Sequence, residues 1–543
     1  MHYDVVICGY GPTGAVAANL LGRRGVRVLV VEQNTEIYDI PRAVHFDGET
    51  MRIFQFLGLA DEIKSVSIPA TEAAFVNGSG RTLMALDFRD MPRRHGWPNG
   101  NFFNQPALEA YLRRGVERYP PVEVRLGWTL ETFDQDDAGL HITLSHRESS
   151  NRDEVTSSYL LGCDGATSTA RELVDIPLDT LNADEPWLVC DILLEGDFEF
   201  RKRVYQVCDR RRPTTLVPCE GRHIRWEFML RPDDDPEELE REETVLALMA
   251  PHLHRLHDDL KPEQCSLIRK KVYTFHGLIA RSWRLGRVLL LGDAAHQTPP
   301  FLGQGMCAGI RDAYNLCWKL EGVLAGRYTS KLLDTYPSER APHARTIIEQ
   351  AIRTGSVIQT RNPIAAFLRD SFFSLARIFP VLQKPFLWEP AWPLGPGFFD
   401  ATTPPSAQTT HGHQIDQPVV ATTSGERIAL DTVLGDDFTV LGLNMNPADT
   451  IAEATAQTFS TLKTRFVHVA PTRTHNTASP ATTVVDTDGD LAAWFKRIGG
   501  GQAVILRPDR QVFGVYGKNG ASTVGTELAT AAEKLVTMIE PAQ

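Results

Sequence analysis

No cysteine follows Cys317 in this chain of 543 residues, and the eight cysteines up to that point include no CxxC pair. The C-terminal part therefore cannot perform thiol–disulfide chemistry, and the scatter from Cys8 to Cys317 is neither a disulfide framework nor a zinc pattern. It fits a reducing cytosol. No apolar run approaches the roughly 20 residues that a membrane span needs. The N-terminus has no basic segment leading an apolar stretch and a cleavage site, but runs straight into MHYDVVICGYG, so a cytoplasmic protein is expected. Basic residues are in deficit, 56 Lys and Arg against 68 Asp and Glu, for a formal net charge of −12. That excess of acid argues against a nucleic-acid partner, because neutralising phosphates takes Lys and Arg. The basic runs Arg201-Lys202-Arg203 and Arg210-Arg211-Arg212 are short and lie in strand-like sequence, where local salt bridges are the expected use.

What is present is the composition of a globular protein, 42% hydrophobic and 23% charged, with length for roughly two to four domains. YDVVICG (3–9) and VRVLVVE (26–32) read as buried parallel strands around a helix from Ala15 to Arg24, a βαβ unit. Polar, loop-rich sequence follows from Ile68 to Trp97. A helix then starts at Gln105, and YLLGCDG (159–165) forms another strand. Residues 187–230 alternate as an antiparallel sheet does, RVLLLGD (287–293) resumes buried parallel character, and a long helix follows Gly305. Pro, Gly and Thr accumulate between 390 and 425, a linker composition that also holds His411 and His413, both expected to face solvent.

The turn between the first strand and helix is GYGPTG, which sets Gly9, Gly11 and Gly14 at GxGxxG spacing. The first glycine permits the tight turn, the second lets backbone approach a pyrophosphate, and the third lets helix and strand pack closely. The helix N-terminus then offers N–H groups and a favourable dipole to phosphates. Glu32 ends the second strand, where a carboxylate binding a ribose hydroxyl is expected. Together these predict a bound dinucleotide but do not separate FAD from NAD.

Two later motifs bear on that choice: Asp164-Gly165-Ala166-Thr167-Ser168-Thr169-Ala170-Arg171, at a strand end, and Gly292-Asp293-Ala294-Ala295-His296, which continues QTPPFLGQGMCAGIRDAYNLCWKL. With these three motifs in order, residues 1 to 400 resemble the class A FAD-dependent aromatic hydroxylases, the para-hydroxybenzoate and phenol hydroxylase group. PRAVHFDGETMRIFQFLGL (41–59), QVCDRRRPTTLVP (206–218) and IRWEFML (224–230) are similar to its 3-(3-hydroxyphenyl)propionate hydroxylases. The resemblance implies a doubly wound α/β FAD-binding, Rossmann-like domain with an inserted antiparallel substrate-binding sheet. From about 410 the chain resembles the thioredoxin-like domain appended to phenol hydroxylase, with a structural or homodimer-forming role. The implied division is FAD domain at 1–68, 99–182 and 279–400, substrate domain at 69–98 and 183–278, and thioredoxin-like domain at 410–543.

The resemblance further implies FAD as cofactor, NADH or NADPH as transient co-substrate, and O2, with ring hydroxylation through a hydroperoxyflavin. Arg42, Gln105, Asp164, Asp293, Pro300, Gly303, Gly305 and Met306 become FAD contacts. Gly303 and Gly305 suit the role independently, since a ring approaches backbone closely only where side chains are absent. A phenol attacks best as phenolate, so the site needs a proton acceptor within hydrogen-bond reach. His45 and Asp47, following Arg42, are the catalytic candidates. Tyr205, Gln206, Arg225 and Glu227 lie on the substrate strands, and an inward Arg225 could hold a substrate carboxylate through a bidentate pair. His252, His254 and His257, at i, i+2 and i+5, do not share a helical face, so no metal is expected. The expected partner is a small phenolic acid. The alternatives are a tailoring oxygenase acting on a polyketide or aromatic antibiotic, a flavoprotein oxidase or dehydrogenase without oxygen insertion, and a non-catalytic binder of an aromatic ligand.

Overall fold

A computed structural model describes residues 1–39, 42–181, 184–376, 379, 392–400, 412–471, 482–518 and 520–537. Its organising element is a parallel sheet ordered Val122–Leu126, Val28–Glu32, His2–Cys8, Arg152–Gly162, Val288–Leu290. Strands covered on both faces must be apolar throughout, and every residue of Val28–Glu32 is buried. Arg152–Gly162 is long enough to serve twice. Its second half joins the parallel sheet, while its first half pairs antiparallel with Leu140–His146, which pairs in turn with Trp128–Gln135. Helix Pro12–Arg23 packs against helix Gly305–Leu324 and helix Gln105–Val116. The first turn of the chain and a helix 300 residues later thus share one core.

The second sheet runs Cys265–Phe275, Glu185–Leu194, His223–Met229, Thr214–Pro218, Arg203–Cys208, Glu72–Asn77, Thr82–Asp87. It is mixed rather than wholly antiparallel, because Glu72–Asn77 lies parallel to Arg203–Cys208. That pair joins two distant chain segments, so no hairpin dictates its direction. Strand alternation divides this sheet's faces. Tyr205, Leu216, Trp226 and Phe228 join the apolar cluster that includes Val245, Met249 and Leu253, while Gln206, Thr215, Arg225 and Glu227 line a cavity on the other side. The basic runs are locally paired, through Arg201 with Asp258, Arg203 with Glu72 and Arg212 with Asp234.

The C-terminal sheet is ordered Arg427–Ala429, Val419–Thr422, Thr482–Val485, Arg465–Ala470, Thr439–Leu443, Ala503–Leu506, Val512–Tyr516. Three neighbours, 482–485, 465–470 and 439–443, are parallel, and the remaining pairings are antiparallel. This unit is fastened to the first sheet's helices by buried charge. Arg507 reaches Glu339 through both terminal nitrogens (2.8 and 2.9 Å) and Asp509 through Nε and Nη2 (3.0 and 2.5 Å). Lys319 donates to Glu339 (2.8 Å), and the Arg507, Glu339 and Lys319 side chains are fully enclosed. Arg52 adds a two-pronged bond to Asp431 (2.7 Å each). His413 is half-buried and lines a pocket between the two units, not the solvent-facing position expected of it; His411 lies outside the described residues.

Breaking such a buried cluster from one side leaves a charge without compensation, at a cost of about 3 kcal/mol or more. Arg507→Met is therefore expected to lower the urea midpoint, read by tryptophan fluorescence, since Trp318 lies under the Arg507 guanidinium. The cluster also sets an acid dependence. Arg507 and Lys319 overcome burial to hold the Glu339 carboxyl down at about 2, below its ordinary 4.5. Its contribution is present above pH 4.5 and lost as pH falls towards 2; in Arg507→Met that acid loss should shrink. Unchanged acid unfolding in the variant would refute the assignment.

Candidate active site

The GxGxxG turn is closed by geometry. Gly9 has φ +96°, and a Cβ there would sit 2.3 Å from the Cys163 carbonyl oxygen. A Cβ on Gly14 would come 2.0 Å from the Gly9 carbonyl oxygen, whereas one on Gly11 would meet nothing within 4 Å. Gly9 and Gly14 are thus required by packing, while Gly11 faces open space. Helix Pro12–Arg23 begins there with no side-chain cap, and so does helix Gly305–Leu324. Gly11–Thr13 and Gly305–Met306 border the same cavity, so two helix N-termini with free amide groups and favourable dipoles meet there. Glu32 is buried beside the turn and accepts from the Tyr10 amide (2.8 Å), the Asn34 amide (2.9 Å) and the Asn34 side chain (3.0 Å).

The Asp-Gly motif is a brace. Both Asp164 oxygens turn back into the chain, accepting from Ser168 Oγ (2.5 Å) and the Ala170 amide (2.9 Å), so Gly165, not Asp164, borders the cavity. Arg171 donates to the carbonyls of Ala166 and Ala294 (3.1 Å each), tying this loop to the Gly-Asp loop. That second loop hangs on Asp312, which is fully buried and accepts from the Gly292 amide (3.0 Å), His296 Nε2 (2.7 Å) and Arg340 Nε (2.9 Å). Its carboxyl is held below the usual range by His296 and Arg340, which overcome burial. Asp293, next door, exposes its side chain into the cavity. Neither Asp312 nor Arg340 was singled out from the sequence. Both sit on helices that carry several other charged residues, so nothing in the local pattern marks them.

Gln105 accepts from the amides of Arg42 (2.7 Å) and Ala43 (2.6 Å) and donates to Glu109 (2.7 Å). It lines the cavity, but its hydrogen bonds hold the Arg42 loop in place. Pro300, Gly303, Gly305 and Met306 border the cavity together with Arg42. Gly303 has φ +62°, and a Cβ there would lie 2.8 Å from His45 Nδ1; one on Gly100 would lie 2.7 Å from His45 Nε2. His45 is therefore gripped between two glycines. Its Nδ1 is 3.3 Å from the Gly303 carbonyl, a contact that only a protonated Nδ1 makes as a hydrogen bond. Burial lowers the pKa of this imidazole, leaving it neutral with a lone pair on Nε2.

Asp47 does not reach the cavity. It caps helix Gly48–Phe56, accepting from the Thr50 amide and hydroxyl (2.9 Å each), and pairs with Arg311. The Arg311 guanidinium, with the Thr50 bonds, outweighs burial and holds its carboxyl far below the usual range, so Asp47 is a permanent anion and a poor proton acceptor. The sequence Asp47-Gly48-Glu49-Thr50 signals an N-cap, and that role prevails. Tyr205 also faces away, between Arg203 and Arg255. Gln206 faces the cavity and accepts from Thr215 (2.8 Å). Arg225 makes its bidentate bond to Asp191 (2.9 Å twice) and donates to the Arg42 carbonyl (2.6 Å), in place of the substrate carboxylate expected of it. Among the described residues no cluster of three or more metal-binding side chains occurs.

The cavity so formed measures about 940 Å³. Its glycine-lined part fits a dinucleotide, and its other walls are largely apolar, among them Phe75, Phe88, Phe102, Phe301 and Phe373. Two variants separate the roles. Gly14→Ala should abolish flavin binding, read as loss of the visible flavin spectrum from purified protein. Asp47→Asn should lower the unfolding free energy by about 3 kcal/mol or more through the lost ion pair and cap, without moving the pH profile of activity; a shifted profile would restore Asp47 as proton acceptor.

The FAD binding domain family matches residues 2–351, and the HcaD C-terminal domain family matches residues 412–531. The chain is 35% identical over 522 residues to 3-(3-hydroxy-phenyl)propionate/3-hydroxycinnamic acid hydroxylase 2 of Burkholderia vietnamiensis, covering 94% of this chain and 93% of that one. It is 33% identical over 516 residues to the corresponding hydroxylase of Escherichia coli K12, covering 94% and 91%. Among solved structures, aklavinone-11 hydroxylase with FAD and aklavinone superposes with TM-score 0.78 at 24% identity, covering 98% of this chain and 99% of that one. Anhydrotetracycline hydroxylase of Streptomyces rimosus superposes with TM-score 0.73, also at 24% identity, each chain fully covered. Fold, cofactor cradle and relatives coincide, and the chain belongs to the FAD-dependent aromatic-ring hydroxylases, single-component monooxygenases of phenolic rings.

Proposed function

We propose that this enzyme hydroxylates a small phenolic acid of the 3-(3-hydroxyphenyl)propionate or 3-hydroxycinnamate class. The observation that carries the reading is the single cavity in which the open glycine cradle adjoins an apolar chamber walled by the second sheet, in a chain more than 30% identical to hydroxylases named for those acids over nearly its whole length. Gly11, Glu32, Arg42, Gly165, Asp293, Pro300, Gly303, Gly305 and Met306 would hold FAD. When bound, FAD takes reducing equivalents from NAD(P)H and activates O2 for transfer to the ring. The uncapped N-terminus of helix Gly305–Leu324 favours negative charge beside it. The aromatic wall orients the substrate ring and excludes water, which protects the activated oxygen from wasteful release. Neutral His45 offers Nε2 as a hydrogen-bond acceptor at the seam between the two halves of the cavity.

Larger fused-ring substrates belong to the structural neighbours at under 25% identity, which support the fold and not the substrate. In the C-terminal unit, a parallel trio of strands flanked on each side by an antiparallel pair, with helix Ala521–Thr537, supports a thioredoxin-like reading. All eight cysteines are free thiols, which suits the cytoplasm. The exposed apolar residues Ile364, Phe367, Leu368 and Leu375 of helix Pro363–Ala376 suit a homodimer contact.

The test is NADH and NADPH consumption by the flavin-loaded protein against a panel of phenols, with product and peroxide quantified together. The 3-hydroxyphenyl acids should accelerate oxidation and return hydroxylated product at close to one per nicotinamide. Peroxide alone would mark those acids as mimics, and flavin bleaching by an organic substrate without nicotinamide would replace hydroxylation with oxidase or dehydrogenase chemistry.

A further inference from the structure

The cavity-lining carboxylic acids are Glu227 and Asp293, and Asp293 belongs to the cofactor loop. Glu227 is 8% exposed, yet no hydrogen bond joins its carboxyl to any described residue. Its neighbours direct their donors elsewhere. Thr215, directly opposite in strand register, gives its hydroxyl hydrogen to Gln206. Arg225, two residues away on the same face, gives Nε and Nη2 to Asp191 and Nη1 to the Arg42 carbonyl. On the other side Glu227 faces Val189, which has no donor to offer from its side chain. Its carboxyl therefore opens onto the cavity, and a sheet that presents an acceptor there with its own donors turned away is complementary to a ligand that brings one. Of the other titratable groups on the wall, His276 is tied to Asp184 at the exposed edge, and His45 is held at Nδ1 by the Gly303 carbonyl.

We propose that Glu227 is the catalytic residue that binds the phenolic hydroxyl of the substrate and takes its proton. This rests on the phenol-hydroxylase reading of the cavity. The phenolic O–H bond breaks, the proton passes to a Glu227 carboxylate oxygen, and the electron pair stays on the ring oxygen, where it activates the ring towards oxygen transfer. NAD(P)H supplies two electrons and O2 both oxygen atoms, one entering the ring and the other leaving as water. The proton on Glu227 is given up as that water forms, so the residue ends as the carboxylate it began as. The charged groups around it are Arg225 on its own strand, Asp191 on Glu185–Leu194 and Arg269 on Cys265–Phe275; the nearby Cys219 thiol is kept protonated by burial. Burial, with Asp191 in support and Arg225 and Arg269 opposing, pushes the carboxyl up to about 7. Near neutral pH it is thus available as the carboxylate and basic enough to accept a proton.

The experiment compares wild type with Glu227→Gln and Glu227→Asp, each first checked for bound flavin and an unchanged unfolding midpoint. Wild type should show hydroxylation rising with pH through about 7, and binding of a 3-hydroxyphenyl acid should produce the near-ultraviolet absorbance of its phenolate. Glu227→Gln should lose that absorbance, lower kcat about 100-fold, and move the pH dependence upwards towards ionisation of the free phenol; Glu227→Asp should recover part of the rate. Retention of the phenolate band and the pH profile by a folded, flavin-loaded Glu227→Gln would overturn the proposal with the hydroxylase reading intact. If wild type itself hydroxylates no phenol, that reading fails first, independently of Glu227.

Discussion

The site depends on one buried carboxylate. Asp312 lies on helix Gly305–Leu324 and holds, with its two oxygens, the Gly292 amide, His296 and Arg340. The Gly292 bond fixes the loop that presents Asp293. Arg340 brings in helix Thr335–Ile358, and His296 stacks on Trp283. An anion this deep is tolerable only because its lone pairs are met by charged or backbone donors. From Gly292 the constraint passes to Thr13 at the head of the first helix, since a Cβ on Gly292 or on Gly309 would strike Thr13. Both glycine-bearing edges of the cofactor cradle are thereby positioned from one point.

What could be read from the sequence was backbone chemistry, and what could not was side-chain pairing. Gly9, Gly14 and Gly303 announce themselves because only glycine meets a carbonyl at that distance or accepts that φ. The same holds for the apolar strands that flank them. Asp47, Asp164 and Arg225 were assigned outward-looking roles, and each turned inward: Asp47 and Arg225 to partners distant in sequence, Arg311 and Asp191, and Asp164 to the adjoining Ser168–Ala170 turn. No local pattern distinguishes a charged side chain aimed at a ligand from one aimed at a buried counter-charge. The alternation of the second sheet was legible, but its phase was not. Gln206 and Tyr205 are adjacent, and only the packing of Tyr205 into the apolar cluster decides which of them faces the substrate.

Electrostatically the two halves of the cavity are built in opposite ways. On the cofactor side two helix N-termini leave their amides free, so the surface invites an anionic, hydrogen-bond-rich ligand. On the substrate side the wall is largely apolar, with the Glu227 carboxyl set into it. An uncharged aromatic ring pays little to enter such a chamber, and a polar substituent is costly unless it meets a partner there.

The cavity takes its walls from positions as far apart as Gly11 and Trp392, and the order of biosynthesis gives that spread a meaning. A ribosome emitting this chain releases the glycine turn first, but the opposing helix N-terminus at Gly305 only after more than half the protein has been made. The cofactor cannot template the early folding of its own turn. Until then the apolar parallel strands and the unfilled second sheet must persist with a large hydrophobic surface uncovered, the condition under which nascent chains aggregate or need a chaperone. Flavin capture thus becomes a late event, a report that the two ends of the domain have found each other.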